Sequence, residues 1–267
     1  MTRFALHSIV ALVMLFLMLP LLAVAVASVS SGATLAFPPT GFTLAWYERI
    51  SADFYAALRV SLIVALGATA ISTVVGTLAA LALQRGGMPG RRILAIFCLS
   101  PLMVPTLVIG VAAFQFVLVV WDIFGLSVTD TTLALILGHS AFCVPFVIRS
   151  ALAVQAHYDM TLEEAALNLG ASRVETFFRV TLPLLMPGIV SGAIFAFLAS
   201  FDDVPVALFL GGSGTVTLPV KIFTSIEFSF DASVMAMATL VVVVSLLLML
   251  LIDRLIGIEA FIGTGRN

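Results

Sequence analysis

Residues 155–183 read QAHYDMTLEEAALNLGASRVETFFRVTLP, and long apolar runs flank them on both sides. Thr161-Leu162-Glu163-Glu164 has the spacing of a capping box, with the threonine at the N-cap and Glu164 at the third helical position. Ala165, Ala166 and Leu167 are good helix formers. Gly170 stands where a left-handed C-terminal cap is needed. A second box follows at once in Ser172-Arg173-Val174-Glu175, and Pro183 cannot continue a helical hydrogen-bond ladder. The pattern predicts a compact helix–turn–helix. It presents a small apolar surface, Ala165, Ala166 and Leu169, beside carboxylates. Such a surface suits a groove on a partner protein. It equally suits an amphipathic stretch lying on a membrane.

Outward from this loop the chain is too apolar to be soluble. Charged residues make up 10% of its 267 positions and hydrophobic ones 62%, whereas a soluble domain carries about 25% charge. Six stretches reach the roughly 20 apolar residues that a spanning helix needs: about 8–30, 58–84, 93–120, 132–154, 187–210 and 233–256. Each must be helical, because unpaired backbone groups cannot face lipid. The expected fold is all-α and integral to the membrane, one domain over 1–267 with six transmembrane helices. The loop at about 155–183 is the longest on its side. Arg3, Arg85, Arg91, Arg92, Arg149, Arg173, Arg179, Arg254 and Arg266 share that side, against Arg49, Arg59 and Lys221 on the other. The positive-inside rule then places the loop and both termini in the cytoplasm. Ala25-Val26-Ala27 resembles a signal-peptide cleavage site, but the apolar run from Ile9 to Ala27 exceeds the roughly 7–15 residues of a signal core, so the first segment reads as a span. Phe37-Pro38-Pro39 and Trp46-Tyr47, in the outer segment, read as an interfacial aromatic belt. The net charge of −2 and the lack of basic stripes give no nucleic-acid partner. Cys98 and Cys143 fall in apolar runs and read as reduced and buried, with no metal-ligand spacing.

Glu164-Ala165-Ala166, three residues, Gly170, nine residues, then Val180-Thr181-Leu182-Pro183 resembles the EAA signature of bacterial binding-protein-dependent ABC permeases. Val180 stands where that pattern has isoleucine. GFTLAWY at 41–47, HSAFCVPFVIRS at 139–150, FDDV at 201–204 and LPVKIF at 218–223 are similar to the second permease subunit of spermidine/putrescine importers. The resemblance implies a type I importer permease in the bacterial inner membrane, working by alternating access. Glu164, Ala165, Ala166, Gly170, Leu182 and Pro183 would then couple it to ATPase subunits. It also implies a second permease of different sequence, two ATPases carrying ATP and Mg, and a periplasmic solute-binding protein. The chain itself would hold no cofactor and no metal. No stretch fits G-x-x-x-x-G-K-[ST], so a separate ATPase must supply the energy.

Two features inside the spans bear on the solute. Gly188, Gly192, Ala196 and Ser200 place small residues at every fourth position, which predicts a close helix–helix face. Asp202 and Asp203 sit near the outer end of the same span, and a carboxylate at membrane depth is a functional candidate. One can line the solute path while the other caps a helix restarted at Pro205. His139 reads as a helix-packing hydrogen-bond partner, and Pro101, Pro105 and Pro145 either kink spans or break them along a path. The outer segments carry Glu48, Asp53, Asp122, Asp130, Glu227 and Asp231 against three basic residues, a balance that attracts cations. The charge balance therefore predicts a cationic solute; the resemblance to spermidine/putrescine importers implies a polyamine, with another small amine, an amino-acid derivative or a phosphonate as alternatives. Gly211-Gly212-Ser213-Gly214 matches the G-x-S-G of intramembrane serine proteases. However, His7, His139 and His157 all precede Ser213, the reverse of the rhomboid order, and the glycines read better as a turn.

Overall fold

The computed structural model describes residues 2–32, 39, 41–85, 90–125, 129–156, 159, 161–228 and 232–256. Its elements run α1 (Thr2–Ser28), α2 (Ala45–Glu48), α3 (Ala52–Arg85), α4 (Arg91–Leu99), a 3-10 turn (Ser100–Leu102), α5 (Thr106–Phe124), α6 (Thr132–Gln155), α7 (Thr161–Asn168), α8 (Arg173–Thr176), a π turn (Phe177–Thr181), α9 (Leu182–Phe201), α10 (Pro205–Leu210), α11 (Leu218–Phe228) and α12 (Ser233–Ile256). Among the described residues the only strand-like pairing is an isolated bridge between Ser30 and Phe42. Phe37 and Pro38 of the expected aromatic belt, and Asp231 of the outer carboxylates, lie outside the described residues.

Among the described residues five helices are long and apolar enough to cross a membrane: Ala5–Ser28, Ala52–Gln84, Thr106–Phe124, Thr132–Gln155 and Arg173–Phe201. The apolar run at the expected sixth position, Ser233–Leu247, is shorter among the described residues. Two expected spans are interrupted. The run 93–120 divides into α4 and α5 because Pro101 sits in the 3-10 turn and Pro105 precedes α5, where its missing N–H costs nothing. The run 187–210 divides into α9 and α10 at residues 202–204, just before Pro205. Pro145, by contrast, stays inside α6.

The chain forms two compact units. In the first, residues 1–56 and 221–258, α1 packs along α12. Trp46 and Tyr47, expected in an aromatic belt, each make a hydrogen bond at the end of the first helix. Tyr47 OH shares a hydrogen bond with Ser28 Oγ at 2.8 Å, and Trp46 Nε1 donates to the Ser30 carbonyl at 2.7 Å. They fasten α2 to the end of α1. Arg49 stacks over the Trp46 ring at 5.4 Å, and Lys221 Nζ stands 3.5 Å from Asp53 Oδ2.

In the second unit, which includes residues 57–220, the predicted small-residue stripe is the main contact. Lipid is as apolar as leucine, so helices associate by close approach rather than by escape from water. A Cβ on Gly188 would stand 2.7 Å from the Ser150 carbonyl oxygen, and one on Gly192 would stand 2.6 Å from Val147 Cα. Higher on the same face, Cys143 Sγ contacts the Ala196 carbonyl at 3.3 Å. Ser200 Oγ meets His139 Nδ1 at 2.8 Å. All four stripe positions thus face α6. Val64, Leu135, Phe142, Val147, Val206 and Leu210 fill the core beside this seam.

Candidate functional site

The helix–turn–helix forms, with one change at its start. Asp159 Oδ1 accepts the Thr161 N–H at 2.9 Å, so the cap lies two residues before the expected Thr161 box. Aspartate caps at least as well as threonine, and its short side chain reaches the free N–H groups of the first turn. Hydrogen bonds from Thr161 hold the Asp159 carboxyl below the usual carboxylate range. The second box is complete: Glu175 N–H donates to Ser172 Oγ at 3.2 Å, and Ser172 N–H donates to Glu175 Oε2 at 2.9 Å. Gly170 adopts φ +91°, the left-handed conformation that L side chains resist.

The coupling candidates divide by surroundings. Glu164 and Ala165 are exposed, Ala166 is half-buried, and Leu169, 89% exposed, projects beside them. Leu182 packs into a buried cluster with Leu81, Leu185 and Ile189. Pro183 is exposed in the first turn of α9. It does not end the helical run, as the sequence suggested. Pro183 has no N–H for the carbonyl four residues back, and its ring crowds that carbonyl. The backbone widens into the π turn just before it, where Leu182 N–H bonds the Phe177 carbonyl. Helical structure therefore continues from the loop into the span.

The aspartate pair lies at the α9–α10 break and is divided. Asp203 is buried. Its Oδ2 accepts the N–H groups of Val206 at 2.8 Å and Ala207 at 3.1 Å, which makes it the cap of α10. The same oxygen lies 3.9 Å from Nε2 of the fully buried His139. Nε2 has no hydrogen-bond partner among the described residues. His139 spends its other nitrogen on Ser200, in the packing role expected for it. Asp202, next in the chain, is exposed; it and the capping Asp203 both line a cleft of about 500 Å³, with Thr106, Leu198, Ala199, Val204 and Pro205. A carboxylate that faces an open cleft can attract a cation.

Sequence reasoning missed Thr106, which only the fold brings to the cleft. It also missed a contact across the loop, where Thr181 Oγ1 donates to Glu163 Oε1 at 2.7 Å. Beyond α10, the glycine run at 211–214 is the expected turn. Any Cβ on Gly212 would strike the Asp130 carboxylate, which also accepts from Thr215 Oγ1 at 2.6 Å.

Three comparisons bear on this arrangement. Residues 72–258 match the family described as binding-protein-dependent transport system inner membrane component. The chain is 32% identical over 204 residues to the putrescine transport system permease protein PotI of Escherichia coli (strain K12), covering 75% of this chain and 73% of that one. It is 34% identical over 214 residues to the spermidine/putrescine transport system permease protein PotC of Haemophilus influenzae, covering 79% and 80%. Its fold is similar to a chain of a bacterial ABC transporter involved in the import of the acidic polysaccharide alginate. There the TM-score is 0.70, with 14% identity and 95% of each chain covered.

Proposed function

Since this chain belongs to the family of binding-protein-dependent transport system inner membrane components, and is the permease subunit of an ABC importer rather than an enzyme, we propose that it carries a small organic cation, a di- or polyamine, past Asp202. The observation that carries this reading is the exposed Asp202 carboxylate in its cleft. The similarity to PotI, a putrescine transport permease, and PotC, a spermidine/putrescine transport permease, points the same way. A carboxylate at membrane depth is costly, and a passing ammonium offsets part of that cost while it is there.

The permease works as one domain of six spans in the inner membrane, with both termini and the α7–α8 loop in the cytoplasm. It pairs with a second permease of different sequence. Two ATPases, which hold ATP and Mg, dock below on Glu164, Ala165, Ala166 and Leu169. A solute-binding protein delivers from the periplasm. Gly170 sets the turn that presents this surface, and Leu182 and Pro183 join it to span five. ATP binding draws the ATPases together, and the loop passes that motion to the helices.

Asp202→Asn tests the solute reading. A hydrogen bond to a charged group contributes about 1.5–3 kcal/mol, so putrescine uptake by the assembled complex should fall roughly tenfold or more. Basal ATP hydrolysis and assembly should persist. Uptake at the wild-type rate in that variant would remove the basis for a cationic solute at this cleft.

A further inference from the structure

We propose that Glu163 and Thr181 tie the docking helix to span five, so that Glu163 is a positioning residue for coupling. This rests on the reading of α7 as the ATPase-docking helix.

The loop has two carboxylates side by side, and the fold gives them different surroundings. Glu164 is exposed. Glu163 is half-buried, and its Oε1 accepts the Thr181 hydroxyl at 2.7 Å across 18 residues of chain. Neighbours on a helix point about 100° apart, so one faces outward while the other turns to the span. Thr181 is 1% exposed and closes the π turn at the root of α9. π turns inside helices concentrate at functional positions. Here the widened turn lies between the capped α8 and the start of the span, where a rigid α-helix would transmit motion by itself. A widened turn is a weaker strut. The Glu163–Thr181 bond bypasses it, joining α7 directly to the first residue before α9. A charge-assisted bond of this length is among the stronger single contacts available. Motion imposed on α7 by an ATPase then reaches α9 without being absorbed in the turn at Gly170. From α9 it continues along the Gly188–Gly192 seam to α6.

The tie is read as solute carried per ATP hydrolysed, in the complete complex reconstituted in proteoliposomes. Glu163→Ala and Thr181→Val should lower this ratio about tenfold, the factor that losing one hydrogen bond to a charged group carries, while assembly and ATP turnover persist. Glu163→Gln and Thr181→Ser, which keep an acceptor and a donor, should restore it. A purely structural role would move assembly and ratio together. Glu163 stands on a short, half-exposed helix, so Glu163→Ala decides the question if Thr181→Val fails to assemble. Glu164→Arg serves as the control for docking, since it should impair ATPase assembly. A normal ratio in Glu163→Ala, with Glu164→Arg disruptive, overturns the tie alone. Normal assembly in Glu164→Arg overturns the docking reading beneath it.

Discussion

A carboxylate that closes a helix and one that meets a solute respond differently when their charge is removed. Asp203 needs only an acceptor oxygen for the N–H groups of Val206 and Ala207. Asparagine supplies that oxygen, and alanine does not. Asp203→Asn should therefore leave assembly and the apparent KM for solute near wild type. Asp203→Ala should lower the yield of folded complex, since losing a cap costs about 0.5–2 kcal/mol even at exposed helix ends. Thermal unfolding of the purified complex, read beside uptake kinetics, separates the two. A raised KM in Asp203→Asn would move Asp203 into the solute path. Sequence pattern already held both roles open, because an aspartate two residues before a proline is a cap signal and a carboxylate at membrane depth is a functional one. What it lacked was the direction of each side chain. At about 100° per residue, adjacent side chains face different neighbours, and only the fold supplies those neighbours.

At the scale of elements, local signals carried far. The second capping box, the glycine cap, the small-residue stripe and the span limits of α6 all stand as read from the chain. Each depends on residues close in sequence or repeating at the helical period. Each misreading has its own cause. Thr161 lost the cap to Asp159 because two good capping residues stood two positions apart. Pro183 was read as a stop, yet helices accept proline in their first turn once the backbone before it adjusts. The Glu163–Thr181 bond joins residues 18 apart across a turn, and no periodicity announces it. Gly170 carries the element-scale prediction. Among the described residues nothing stands within 4 Å of a Cβ built there, so the cost of Gly170→Val comes chiefly from its φ of +91°. For a β-branched residue that conformation costs on the order of 1–2 kcal/mol. The turn should reorient, and ATP hydrolysis should proceed with reduced uptake, or the ATPases should fail to bind. Normal uptake at normal expression would show that the turn's shape is not needed.

For the whole molecule, the proposed orientation and cargo are both argued from charge. On the proposed six-span topology the basic residues gather on the side of the α7–α8 loop, and the outer carboxylates on the other. A cysteine at Thr129 should react with an impermeant thiol reagent from outside, and one at the exposed Ser172 only from the cytoplasm. The reverse pattern would invert the orientation and remove the docking surface from the ATPases. Composition alone made the membrane class legible, because 10% charge cannot clothe a soluble chain of this length. The cargo was less legible, since a path shared with a second permease is only half written in this one. The central claim is that the path admits a small cation. It is tested most directly by ATP-driven accumulation in proteoliposomes holding the permease pair, the ATPases and the solute-binding protein, offered labelled putrescine or a four-carbon dicarboxylate. The account predicts that putrescine accumulates against its gradient only with ATP and that the dicarboxylate stays out; accumulation of the dicarboxylate with exclusion of putrescine would contradict it.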